Sequence, residues 1–234
     1  MKFTLPMLDE PRTLRVRFVK KGNLQYISHL DLQRTFGRVL VRAGLPLWYT
    51  KGFNPHIKMV FGMPLPVGTE SECEMLDIRL ERDMPEAEVM RRLNEELTEE
   101  LAVAEVYPAT RKFCEIAFAE YDYTIKTTGA DAALAARLAA LLECGPLSIV
   151  KKGKAGEREV DVLPLIDRFS VREENSLIYI NAVLAAGEGK YLSPEALIGA
   201  LRATTGILSG DLTKEYYHIV RRRALLADGV SEFK

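Results

Sequence analysis

Residues 26–68, YISHLDLQRTFGRVLVRAGLPLWYTKGFNPHIKMVFGMPLPVG, decide how the rest of the chain is read. Ser28 stands three residues before Asp31, and behind it Leu32, Phe36, Val39, Leu40 and Ala43 recur at the spacing of one buried helix face. This predicts a helix over 28–43, ended by Gly44 and Pro46. Arg34, Arg38 and Arg42 follow every fourth residue, so they stack on one side of that helix with no acidic residue four positions away. Such an unpaired basic stripe is either a solvated face or a surface for an anionic partner. Next, Lys51-Gly52-Phe53-Asn54-Pro55-His56 is rich in turn formers, which displays Phe53 and His56 on a loop, where function tends to concentrate.

Upstream, Leu14, Val16 and Phe18 alternate with Arg15 and Arg17 over 13–20, predicting a strand with one buried face and an open basic face. Downstream, strands are expected over 57–62 and 73–80, a helix opening at Pro85 with Glu86 and Glu88 in its first turn, and a short strand over 101–107. The order is β-α-β-β-α-β, the ferredoxin-like arrangement. After a compositional break at 109–114, the order recurs: a strand over 116–127, a helix over 130–144, strands over 147–151 and 177–184, a helix over 194–204 capped at Ser193, and a strand over 217–226. The expected fold is α+β, two tandem ferredoxin-like βαββαβ units. Residues 1–112 would form the first, with the SHLD and GFNPH motifs, and 113–234 the second. Between the second unit's middle strands, Lys151, Lys152, Lys154 and Arg158 surround two glycines in a candidate basic hairpin or charged surface loop.

Hydrophobic residues make up 47% of the 234, enough for a large core, and the net charge of −1 excludes a polyelectrolyte. Charge is nevertheless polarised. Residues 1–60 hold eleven Lys and Arg against three Asp and Glu, a balance of +8, and residues 70–105 hold four against thirteen, a balance of −9. A basic face recruits phosphate, and the same asymmetry suits two protein partners. Cys73, Cys114 and Cys144 lie too far apart for a CxxC pair, which argues against a disulfide framework, a zinc ribbon or an iron–sulfur cluster. The N-terminal MKFTLPMLDE lacks the apolar core of a signal peptide and no apolar run approaches a membrane span, so a cytoplasmic chain without membrane contact is expected.

His29, just past the helix cap, and His56, in the loop, are the candidate acid–base groups. Each equally suits a turn-stabilising role. A shared site of Tyr26, His29, Asn54 and His56 requires the loop to fold back over Ser28, and a metal site would draw on His29, Asp31 and His56; no metal or other cofactor is expected. Tyr26, Phe53, Tyr121 and Tyr123 are candidates for base stacking, the last two also for core positions. The expected RNA contacts are Tyr26, His29, Arg34, Arg38, Arg42, Lys51, Phe53, Asn54, His56 and Lys58, joined by Lys151, Lys152, Lys154 and Arg158.

Taken in order, SHLDLQR (28–34), GFNPH (52–56), MPLPVG (63–68) and ECEMLDIRL (72–80) resemble the domain of unknown function found beside, or fused to the C-terminus of, radical SAM proteins. The resemblance implies association with a radical SAM enzyme and no established reaction. At the level of architecture, tandem ferredoxin-like units also resemble the RNA-processing endonucleases of CRISPR systems, although Gly206-Ile207-Leu208-Ser209-Gly210 does not match their glycine-rich loop. Three functions follow: an RNA-binding (tRNA or rRNA) accessory protein working with a radical SAM enzyme, a metal-independent endoribonuclease, or a protein–protein adaptor for the radical SAM partner. An autonomous enzyme is not expected.

Overall fold

A computed structural model of the chain describes residues 7–153, 156–211 and 213–234. Its internal contacts divide it into two compact units, one running to Phe113 together with Lys234 and the other from Cys114 to Phe233. The architecture is α+β with mostly antiparallel sheet. Among the described residues no helix is long and apolar enough to cross a membrane.

The first unit runs β1 (Met7–Lys20), α1 (His29–Arg42), β2 (Met59–Phe61), β3 (Thr69–Arg82), α2 (Glu86–Glu96) and β4 (Val103–Pro108). The strands lie in the order β4-β1-β3-β2, every neighbour antiparallel. The alternation in β1 sends Leu14, Val16 and Phe18 to the helix side, where they are fully buried with Leu32, Phe36, Val39 and Leu40 of α1 and Val89 and Leu93 of α2. Helix α1 begins as its sequence predicts, with the Asp31 N–H donating to Ser28 Oγ at 3.1 Å and the Ser28 hydroxyl donating to Asp31 Oδ2 at 2.7 Å. That hydroxyl is the largest influence holding the Asp31 carboxyl below its usual range. Asn94 of α2 exchanges two hydrogen bonds with the Val103 backbone, 3.0 and 2.8 Å, and so ties the helix to β4.

The second unit runs β5 (Phe118–Lys126), α3 (Ala132–Cys144), β6 (Ser148–Gly153), β7 (Gly156–Asp161), β8 (Ile166–Glu174), β9 (Leu177–Gly187), β10 (Lys190–Tyr191), α4 (Pro194–Thr205) and β11 (Tyr216–Leu225). Its antiparallel order is β11-β5-β9-β8, with β10 on β9, while β6 and β7 form a separate two-stranded sheet. The strand expected over 147–151 lies outside the main sheet. The segment beginning at Leu147 is one arm of the hairpin, and the strand paired with β9 is β8. Half-exposed residues dominate β8, and its pairing slips between Ile166 and Arg168, so its apolar period is diluted. Tyr121 and Tyr123 are each 1% exposed on β5, which makes them core residues and removes them from base stacking.

Residues 206–210 have a structural job. Gly206 closes α4 in the left-handed conformation (φ 76°), which a glycine adopts without strain. The Gly210 N–H donates to Glu215, whose carboxylate also accepts from the Thr128 N–H at 2.6 Å and the Thr127 hydroxyl at 2.9 Å. Backbone donors thereby hold the Glu215 pKa at about 2, below the ordinary glutamate value of 4.5. A depressed carboxylate stabilises the fold above its unfolded pKa, and that contribution is lost as pH falls from about 4.5 toward about 2. Glu215→Gln is expected to flatten thermal stability against pH across that window relative to the unaltered protein, as read by circular dichroism melts.

Candidate functional site

The sheet face of the first unit turned away from α1 and α2 carries the row Val60, Asp77, Arg15 and Tyr107, one residue from each strand across the register. The expectation of an open basic face on β1 is overturned, because Arg15 is 0% exposed. Its guanidinium grips Asp77 with two bonds of 2.8 and 2.9 Å, donates to the Arg111 carbonyl at 2.7 Å and lies 4.2 Å from the centre of the Phe113 ring. Residues 109–113 therefore cross the sheet as a strap. It starts where the Ala109 N–H donates to the Thr13 carbonyl and ends with Phe113 packed so close to Gly62 that a Cβ there would lie 2.8 Å from the ring. On this face the Tyr107 hydroxyl is buried without a hydrogen-bond partner among the described residues, and desolvation is the largest influence raising its pKa. Between strap and sheet is a cavity of about 280 Å³ lined by Thr13, Val60, Asp77 and Phe113 and by three cations, Lys58, Arg79 and Lys112.

The GFNPH loop rises from the edge of this sheet. Leu47 bridges to Leu80 and the Trp48 N–H donates to the Arg79 carbonyl at 2.9 Å, so residues 47–48 continue the edge that β2 occupies. The neck closes between Thr50 and His56: the Thr50 N–H donates to the His56 carbonyl at 2.9 Å, and the His56 N–H donates to Thr50 Oγ1 at 3.1 Å. His56 Nδ1 lies 3.0 Å from Thr50 Oγ1 and 3.3 Å from the Asn54 carbonyl oxygen. Gly52 sits at φ 140° with open space around it, so the backbone conformation alone calls for glycine. Phe53 at the tip is 112% exposed, and Lys51 and Asn54 of the loop and Lys58 beyond its neck are also exposed.

The two candidate histidines make different contacts. His29 packs its ring edge-on to Phe61, 5.3 Å between centroids, and accepts at Nε2 from the Gln33 amide at 2.9 Å. His56 hydrogen-bonds within its own loop, to Thr50 and Asn54. They share no partner, and among the described residues no group of His, Cys, Asp and Glu could hold a metal ion.

Two of the three stripe arginines are paired. Arg34 meets Asp31 at 3.2 Å, one turn back, and Arg42 meets Glu96 of α2 at 2.6 Å, a partner 54 residues away that helical spacing cannot reveal. Arg38, Lys51 and Lys58 have no acidic partner among the described residues. Tyr26 is 65% exposed at the end of a short 3-10 turn. In the hairpin, the backbones of Lys151 and Lys152 lie in β6, Arg158 is exposed on β7 and Lys154 lies outside the described residues. Glu157, Glu159 and Asp161 accompany those cations, so residues 148–161 balance at +1 and not at a strongly basic value.

Sequence reading missed the strapped cluster of Arg15, Asp77, Arg79, Lys112 and Phe113, which only cross-strand register brings together. One signal near it was legible: between Asp31 and Glu70 the chain has no acidic residue and five cations.

No curated protein matches the chain. Among solved structures it is similar to a chain in the crystal structure of a Cbf5-Nop10-Gar1 complex, with 10% identity and a TM-score of 0.49 over 90% of this chain and 48% of that one, so it spans about half of that chain's length. It is also similar to an unknown protein from Galdieria sulphuraria, with 9% identity and a TM-score of 0.26 over 91% of this chain and 99% of that one. Residues 13–194, most of the two units just described, match the family of uncharacterized proteins conserved in bacteria designated DUF2344, and the chain belongs to that family.

Proposed function

We propose that this chain is a cytoplasmic RNA-binding accessory protein, built of two tandem ferredoxin-like units meeting near residues 112 and 113, that presents tRNA or rRNA to a radical SAM modification enzyme. The order β4-β1-β3-β2, repeated as β11-β5-β9-β8, supports the ferredoxin-like description. The RNA reading is carried by the GFNPH finger. Phe53 offers a whole aromatic face to solvent between Lys51 and Lys58, on a loop whose neck is fixed by hydrogen bonds. A base gains stacking on such a ring while the flanking cations meet its phosphates, and the fixed neck lowers the ordering cost. Arg38 extends the same acid-free segment. Neither histidine is needed as a catalyst in this reading: His56 holds the finger and His29 packs beside α1. The radical SAM partnership rests on the sequence resemblance of the four motifs.

Fluorescence anisotropy with a labelled single-stranded RNA tests it. Phe53→Ala is expected to weaken binding about 5- to 150-fold, the span of base–aromatic stacking at 1–3 kcal/mol. Lys51→Gln with Lys58→Gln is expected to flatten the salt slope by about 0.7 for each lost phosphate contact. Since these side chains are exposed, melting temperatures are expected to hold. Unchanged RNA affinity in the Phe53 variant removes the finger from the function, and affinity capture without a radical SAM enzyme removes the partnership.

A further inference from the structure

We infer that the cavity beneath the 109–113 strap is a binding site for one phosphate group. It goes beyond the finger, which offers a stacking ring and exposed cations. The cavity, about 280 Å³, has room for a phosphate with the sugar or small ring that carries it, and lies just below the usual ligand-site range of about 300–1,000 Å³. Three cationic residues, Lys58 just before β2, Arg79 of β3 and Lys112 of the strap, line it. The single carboxylate in its wall, Asp77, has both oxygens engaged by Arg15, so it neither repels an anion strongly nor remains available to a metal ion. The local balance is positive, and it comes from three different segments of the chain. Val60 and Phe113 supply an apolar wall for the carrier of the phosphate. Charge-assisted bonds from a guanidinium and ammonium groups are the usual means of holding phosphate oxygens.

The site has a built-in reporter. Trp48 is the chain's single tryptophan, and the Arg79 guanidinium lies 5.7 Å from its ring centre. Drawing Arg79 onto an anion alters that cation–π contact, and with it the Trp48 emission.

The experiment titrates the full chain with inorganic phosphate and with AMP, at ionic strength held constant with chloride, and reads Trp48 fluorescence alongside calorimetry. Saturable binding of either probe is expected, weakened about tenfold or more by Lys112→Met and by Lys58→Met, the loss of one charge-assisted contact each, while both variants keep the unaltered melting temperature. Arg79→Lys is expected to keep binding and Arg79→Met to lose it. A competing single-stranded RNA distinguishes the source of the phosphate. Displacement of AMP by RNA, together with weakened RNA binding in Lys112→Met, assigns the pocket to the RNA backbone; undisturbed RNA binding assigns it to a free phosphorylated molecule. Because Phe53→Ala leaves every lining residue in place, phosphate binding that survives in that variant separates failure of the finger from failure of the pocket. No saturable response to phosphate or AMP, or the same affinities in Lys58→Met and Lys112→Met as in the unaltered chain, overturns the proposal.

Discussion

Asp77→Asn is expected to destabilise the first unit by about 3–5 kcal/mol, the usual cost of stripping one partner from a buried ion pair. The asymmetry of the pair decides which substitution hurts more. The Arg15 side chain is 0% exposed while Asp77 keeps 17%, so removing the carboxylate leaves a guanidinium that can neither lose its proton nor reach water. Arg15→Met leaves a carboxylate that hydrates through its exposed edge, and a smaller loss is expected. Arg15→Met with Asp77→Leu removes both charges and is expected to recover much of the stability, because buried pairs are often replaceable by apolar side chains of similar size. Urea denaturation of the three variants measures the cycle. A second readout follows from the strap, since Arg15 holds the Arg111 carbonyl and stacks on Phe113. Trypsin is expected to cut at Arg111 and Lys112 faster in Arg15→Met than in the unaltered chain. Equal stability of Asp77→Asn and the unaltered protein would show that the pair is satisfied by solvent.

The same pair marks where the sequence stops being readable. Alternation over Leu14–Phe18 identifies the strand and its buried side, because period two is a local property of the chain. What covers the other side is not local. Arg111 stands 96 residues from Arg15, and no spacing rule links them. Helix α1 was legible to within a residue or so because Ser28, Asp31 and the apolar face are all contiguous, and the partner of Arg42 was not, because Glu96 arrives with α2. The hairpin of the second unit shows the reverse error. Leu147 to Lys151 has the apolar, β-branched start of a sheet strand, whereas β8, the strand that joins the sheet, alternates half-exposed residues at an edge and carries little apolar signal. Candidate-site residues followed the same division. The finger could be read from Gly52, Asn54 and Pro55, but the cavity needed the register that sets Val60 opposite Asp77 and Asp77 opposite Arg15.

Phe36→Ala is the other large effect, expected at about 3–5 kcal/mol, within the range for deleting a buried aromatic side chain. Phe36 is 0% exposed and stands at the centre of an aromatic wedge, its ring centroid 4.6 Å from Phe18 and 5.9 Å from Phe61. It joins α1 to both β1 and β2, so the substitution removes transfer energy, leaves a cavity and loses two ring contacts together. Against a typical domain stability of about 5–15 kcal/mol, that is a large fraction. Phe36→Leu fills most of the volume and is expected to lose less. The wedge also connects stability to the site, because Phe61 ends β2, β2 begins beyond the finger and Lys58, and His29 rests on the Phe61 ring. Loosening Phe61 is therefore expected to shift the His29 ring resonances while leaving those of His56 in place, since His56 is tied to Thr50 and Asn54 within its own loop. Urea denaturation gives the stability and histidine NMR gives the coupling. A shift of both histidines by equal amounts would mean that the finger moves with the core, and that the Thr50–His56 neck is not what holds it.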